Sequence, residues 1–385
     1  MKDSRSAREG RVDRSVLVNV DRLNTYMDQN GLSAIAVRSG INFTYLSGMA
    51  MPGTLARHLD TAATVRGFML LWPRLGKPVI VLDSFAERLA ARESWVQNLA
   101  IYQAYVESLY GKLAEVIADC GLATARIGFE QDTLSKAHWD EIQHALPQLE
   151  MVNCSPLMDQ VRWLKTPGEI ELQKAAADLL DEVLLEVFPT IRHGDTEREV
   201  HARFLAEFTR RGCAFVHGIL NSSSNGVMYG GESDVPFRKG DFVRNDYVAY
   251  LNGYPGHQSR LAILGEPTSE QLRGYELTRD VHRRTIELCR PGVTAGEIYA
   301  FVVREFHENG IDYTASLVGH GMGPWFHQQE PVLRRNSDIA LEEGMIIAIE
   351  PQRLHWHLQD LILIGKDRPR LISDKFSTDR PFVIG

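Results

Sequence analysis

Apolar positions in the first 150 residues follow two rhythms. Runs at 33–37, 68–72, 79–82 and 126–129 are apolar almost throughout, which predicts strands buried on both faces. Between them, 20–29, 85–92, 109–120 and 136–146 space their apolar residues three and four apart, as helices with one buried side do. Strands interleaved with helices predict an α/β layer, a sheet covered by helices. The stretch 40–48, GINFTYLSG, reads as a loop running into a strand.

The texture changes between 149 and 165, where Thr166-Pro167 opens a long helix with proline at its favoured first position. We therefore expect an N-terminal α/β domain over 1–160 and a second domain over 161–385. The second contains a repeat: RHGDTEREVHARFLAEFTRRG from Arg192 aligns without gaps on RPGVTAGEIYAFVVREFHENG from Arg290, with 8 of 21 positions identical. Each copy carries Thr followed three residues later by Glu, a capping box, and ends on a glycine suited to a helix stop. Two similar halves predict a pseudo-twofold fold with a site at their junction.

Chemistry-bearing residues fall in both halves. Residues 240–260 read as two strands around Asn252-Gly253, a strong hairpin signal, and tight pairing would bring Asp246 and His257 to one face. In the second half His320 stands between glycines in Val318-Gly319-His320-Gly321-Met322-Gly323, and His327 follows. Glycines there let other groups approach the imidazole. The apolar run 345–349 reads as a buried strand delivering Glu350, which Pro351 follows. A carboxylate is rarely buried without a proton, a cation or a metal as partner. Gln359-Asp360 opens a last apolar strand.

Composition narrows the setting. The chain has 385 residues, is 44% apolar and 24% charged, and carries a net charge of -8, which disfavours nucleic acid as a partner. No apolar run reaches the length of a membrane span. The charged first 15 residues do not read as a secretory signal; a mobile arm or a strap on a partner subunit is expected. Four scattered cysteines without a CxxC pair suit reduced, mostly buried thiols in a cytoplasmic protein. No glycine-rich phosphate cradle and no GxSxG elbow is present.

The Gly-His-Gly-Met-Gly stretch, His327, the Glu350-Pro351 step, the spacing from Asp246 to position 257 and the terminal strand resemble the creatinase/aminopeptidase superfamily, peptidase family M24. The resemblance covers nearly the whole chain. It implies a creatinase-like N-terminal α/β domain plus a C-terminal pita-bread domain, a homodimer, and a small-molecule substrate. The family's peptidases hold two metals on two aspartates, one histidine and two glutamates. Those positions carry Asp246, His257, His320, Glu350 and Gln359 here, so both carboxylates that bridge the metals are missing. Two cations so close repel strongly without bridging charge, which argues against a dinuclear site. Two options stay open: one divalent ion (zinc, manganese or iron) on Asp246, His257, His320 and Glu350, or a metal-free site as in creatinase. This places the chain nearer the creatinase and ectoine-hydrolase-like members than intact prolidase or aminopeptidase P.

The expected reaction is hydrolysis of an amide, amidine or guanidine C–N bond in a small, polar, carboxylated molecule. His320, His327, Glu350, His257 and Tyr229, which replaces a family histidine, are the catalytic candidates. Arg57, His217, Arg260 and Asp360 are the substrate-binding candidates, and His58 could join Arg57. Each has a plainer reading: a turn histidine for His257, packing under Trp325 for His327, a core or edge residue for His217, a tyrosine bonded to backbone for Tyr229, a surface arginine for Arg57, a solvated strand end for Asp360. His355 and His357 are expected in an exposed loop. The alternatives are an Xaa-Pro dipeptidase or aminopeptidase, and a pita-bread binding module without activity.

Overall fold

The structure is a computed structural model that describes residues 14–50, 66–227 and 233–385. The N-terminal arm through residue 13, Arg57, His58 and Tyr229 lie outside the described residues. The chain forms two compact units, residues 1–162 with 166–169, and 163–165 with 170–385. No described helix is long and apolar enough to cross a membrane.

The first unit is built on a six-stranded sheet in the order β4-β3-β2-β1-β5-β6. Its strands are β1 (Ala34–Arg38), β2 (Met69–Pro73), β3 (Val79–Asp83), β4 (Asn98–Tyr102), β5 (Arg126–Phe129) and β6 (Glu150–Asn153). β1 and β2 are buried at every position, as their unbroken apolar runs require. The pattern did not reveal β4 and β6. They are the two sheet edges and are half-exposed, so their apolar signal is diluted. The expectation at 40–48 needs correction, because Ile41–Ser47 is a helix. Asn42 to Ser47 are all buried, so no polar face marks a helical rhythm, and the aromatic and β-branched residues imitate a strand. Gly48 closes this helix in the left-handed region at φ 67.

The second unit repeats one plan twice. A long helix (Pro167–Val187) precedes Glu197–Arg210; another (Ser269–Leu288) precedes Ala295–Glu308. Thr196 and Thr294 each cap the second helix of their pair through a complete capping box. Around the caps the backbone bonds match as well. Gly194 donates to Phe237 O and Gly292 to Leu341 O; Phe237 donates to Asp195 O and Leu341 to Val293 O. The duplicated sequence thus folds as duplicated structure, each half over its own apolar core.

Each half contributes a sheet. The first contains β7 (Phe215–Ser222), β8 (Phe242–Leu251), β9 (Tyr254–Gln258) and β10 (Ala262–Leu264), closed by β18 (Phe382–Ile384). The second contains β11 (Leu317–Gly321), β12 (Gln329–Arg334), β13 (Ile346–Ile349), β16 (Asp360–Leu363) and β17 (Arg370–Leu371). A two-residue bridge between Ser259 and Gln359 joins them. Between β13 and β16 stands a small hairpin, β14 (Gln352–Arg353) with β15 (Trp356–His357). Cys154, Cys213 and Cys289 are buried free thiols and Cys120 is an exposed one.

Candidate active site

Strand register brings the first group together. β9 pairs with β8 so that His257 lies opposite Val248, and Val248 lies opposite His217 on β7. The three residues form one row across adjacent strands, and Asp246 sits two positions along β8 on the same face. Asp246 Oδ1 comes 3.6 Å from His257 Nδ1. That nitrogen faces the Tyr247 carbonyl at 3.3 Å. A carbonyl only accepts, so Nδ1 carries the proton and Nε2 keeps its lone pair.

The second group comes from β11 and β13. The glycines beside His320 are required by backbone rather than by ligand. A Cβ at Gly319 would lie 2.1 Å from Ala348 O, and one at Gly321 would lie 2.4 Å from Glu330 O. Neighbouring strands close on His320 from both sides, and its side chain is buried. His320 Nδ1 donates to Gly321 O at 3.0 Å, which again leaves Nε2 as the open nitrogen. Glu350 follows β13 directly; its Oε1 is 3.6 Å from His320 Nε2. Its Oε2 is 3.7 Å from His357 Nε2.

His327 completes the cluster. Its ring centre is 4.5 Å from His257, 5.6 Å from His320 and 5.1 Å from His217. The Tyr250 hydroxyl bonds its backbone, while its Nδ1 is buried without a hydrogen-bond partner. One nitrogen each from His257, His320 and His327 lies within 4.8 Å of the other two. Three converging imidazoles, two of them oriented by carbonyls behind them, form a donor set that suits a single borderline divalent ion such as zinc. The residues present therefore fit one metal.

Burial governs the electrostatics. It holds His320 down at about 4 and His357 at about 3, and pushes His257 and His327 below the ordinary histidine range, so these rings are neutral at pH 7. Glu350 moves the other way: burial first, and then the charge of Asp246, raise its carboxyl well above the usual range, with Arg244 opposing. Asp246, His257, His320, His327 and Glu350 line a cavity of about 880 Å³ together with His217, Tyr313, Gln352 and Arg353.

Asp246, His257, His320, His327, Glu350 and His217 thus share one wall, as the sequence suggested for the first five. Two substrate-binding expectations are corrected. Arg260 and Asp360 do not line the cavity. Arg260 is buried in an ion-pair network, its Nε 3.0 Å from Asp181 Oδ1 and its Nη2 2.8 Å from Asp360 Oδ1. Both are consumed in structure. Gln359 is fully buried and its amide has no hydrogen-bond partner. His357, expected in an exposed loop, is buried beside Glu350, while half-buried His355 stacks on Phe242. The sequence carried a hint, since His357 and Gln359 alternate toward one side of a strand-like run. Arg353, Tyr313 and Asp312 also line the cavity; no residue pattern marked them.

Comparison with known proteins agrees with this geometry. The profile of metallopeptidase family M24 matches residues 171–366, and that of the creatinase/prolidase N-terminal domain matches residues 19–164. The Xaa-Pro dipeptidase of Pyrococcus furiosus is 25% identical over 336 residues, 86% of this chain and 89% of the relative. A probable dipeptidase of Mycobacterium bovis is 27% identical over 351 residues, 88% of each chain. Among solved structures, an X-Pro aminopeptidase from Thermotoga maritima superposes with a TM-score of 0.80 at 19% identity, over 95% of this chain and 99% of the other. The architecture is a creatinase-type α/β domain followed by a pita-bread domain.

Proposed function

Because this chain belongs to metallopeptidase family M24 and is a hydrolase of the C–N-cleaving kind, we propose that it hydrolyses the amide bond of a short peptide, with Xaa-Pro dipeptides as the first substrates to test. This revises the expectation of a small amidine or guanidine, since the curated relatives above are dipeptidases. The observation that supports the reading is the meeting of three imidazoles and two carboxylates in one cavity.

In this reading one divalent ion would be held by His257, His320 and His327, with Asp246 and Glu350 beside them. When bound, such an ion supplies Lewis acidity toward a carbonyl oxygen and lowers the pKa of water. The chain's own residues supply the rest. Glu350 sits between His320 and His357, and burial raises its affinity for a proton; in its ionised form it takes a proton from the attacking water and then gives that proton to the leaving amine. His327, neutral and held by the Tyr250 hydroxyl's bond to its backbone, would offer its lone pair to the ion and fix the third side of the donor set. Asp246 orients His257 and attracts the substrate's ammonium. His217 lines the peptide's path. None of these steps uses Tyr229 or Arg57.

Protein purified without added metal, analysed by elemental mass spectrometry and assayed on an Xaa-Pro dipeptide panel, tests this. About one equivalent of metal, lost in His257→Ala and His327→Ala, with dipeptide hydrolysis abolished by chelation, is the expected result. Hydrolysis that survives chelators would instead indicate the creatinase-like route, and no hydrolysis with no metal would indicate a binding module. A homodimer in a cytoplasmic setting belongs to the same reading; sedimentation equilibrium checks the dimer.

A further inference from the structure

His357 is a buried group that the chemistry above leaves idle. Its side chain is sealed from solvent, and neither ring nitrogen has a hydrogen-bond partner among the described residues. A buried imidazole without hydrogen bonds lowers stability, and an apolar side chain of its size would not. One acid stands against the ring: Glu350 Oε2 lies 3.7 Å from His357 Nε2, while Glu350 Oε1 faces His320 Nε2 at 3.6 Å. The two imidazoles play opposite parts. His320 gives its proton to Gly321 O through Nδ1, so its Nε2 has only a lone pair to offer. His357 has no carbonyl bonded to either nitrogen and is free to carry its proton on Nε2, toward Glu350. Burial holds this ring neutral, at about 3, so it donates an N–H without adding a positive charge. Bringing the pair into hydrogen-bond range takes a shift of about 0.5–1 Å.

The backbone behind the ring is fixed. His357 lies on β15 opposite Gln352, whose side chain accepts from Arg244 Nη2 at 3.2 Å. The His357 carbonyl accepts from Ser259 Oγ at 3.2 Å. Trp356, just before it, packs on Phe242 with ring centres 4.6 Å apart. It also fills the space left by Gly274, where a Cβ would fall 2.4 Å from the indole. An imidazole carried on a strand held at these points is a rigid post for a carboxylate that otherwise turns about its own side-chain bonds.

We propose that His357 is a positioning residue, whose Nε2–H holds Glu350 by Oε2 and leaves Oε1 aimed at the imidazole cluster. This rests on the reading of Glu350 as the group that moves the water's proton, and adds what keeps that carboxylate in line. It also gives a reason for a buried imidazole that stability alone would replace: the ring serves the geometry of the reaction and not the fold.

The test compares wild type with His357→Met, which removes the donor at similar volume, and His357→Gln, which keeps an N–H. Urea midpoint, metal content, and kcat and KM on Ala-Pro are measured for all three, and a crystal structure is determined for wild type. His357→Met should keep its metal and a urea midpoint at or above that of wild type, lose about 10- to 100-fold in kcat and hold KM within twofold. His357→Gln should recover most of the lost kcat. The crystal structure should show Glu350 Oε2 within hydrogen-bond distance of His357 Nε2. A His357→Met variant with kcat within twofold of wild type overturns the proposal. So does one that loses midpoint or metal along with kcat, since that marks a structural role, and so does a His357→Gln variant no better than His357→Met. A wild type that cleaves no dipeptide would overturn the peptide reading instead. The crystal structure then decides this inference alone: a carboxylate bonded to His357 supports it, and one turned away overturns it.

Discussion

Single side chains in this protein are governed more by burial than by composition. Glu130, at the end of β5, shows this away from the active site. Both carboxyl oxygens accept hydrogen bonds, from Arg38 N at 2.5 Å and Asn42 Nδ2 at 2.6 Å. Burial still outweighs those bonds and the nearby Arg162, and pushes the carboxyl from 4.5 up to about 7. The sign follows directly. Between pH 4.5 and 7 the folded chain keeps a proton that the unfolded chain releases, so stability falls as pH rises through that window. The limit is about 3 kcal/mol. Urea midpoints of wild type measured at pH 5 and pH 7.5 should therefore differ, and Glu130→Gln should flatten the difference while losing about 1 kcal/mol at pH 5 for a hydrogen bond it mismatches. An equal pH slope in both proteins would contradict the assignment.

At the scale of elements, the active site depends on strands and helices that touch backbone to backbone. Gly256 lies on β9 next to His257, and a Cβ there would sit 2.3 Å from Ala176 O in the helix Pro167–Val187. Both partners are main chain, so neither can rotate aside. Gly256→Ala should cost about 1–3 kcal/mol by forcing the strand off the helix, read as a lower urea midpoint, and should weaken metal retention because His257 moves with the strand. Retained stability with unchanged metal content would show that the strand has room. The glycines around His320 obey the same rule, and the sequence could mark them only as unusual. The capping boxes at Thr196 and Thr294 needed no structure to be read, since a cap is satisfied within four residues of itself.

At the scale of the whole catalytic unit, the two halves are joined through buried charge. Arg260 from the first half meets Asp360 from the second and Asp181 from the long helix, and donates to Gln359 O at 2.5 Å. His282 Nε2 approaches Asp360 Oδ2 at 3.7 Å. Removing the guanidinium alone strands two buried carboxylates. Arg260→Met should cost about 3–5 kcal/mol in denaturant unfolding, whereas adding Asp181→Asn and Asp360→Asn to it should recover part of that loss. A triple variant no better than the single one would mean that the network holds the halves by shape and not by charge. The sequence marked Arg260 and Asp360 as special without indicating that they serve the joint and not the substrate, because a charged residue near a site looks the same whether its partner is internal or a ligand.

Local rules were sufficient for what depends on near neighbours. Helix rhythm, the Asn252-Gly253 turn, the duplicated caps and the run into Glu350 were legible because each is decided within a few residues. The hairpin spacing already brought Asp246 to His257; the resemblance to family M24 added their meeting with His320 and Glu350, which spacing along the chain does not contain. Other features waited for the tertiary structure: the burial of His357, the approach of the His257, His320 and His327 nitrogens to within 4.8 Å of one another, and the place of Arg353 in the cavity lining. They depend on which strands lie side by side and on what fills the space between them, and those contacts join residues that the sequence places far apart.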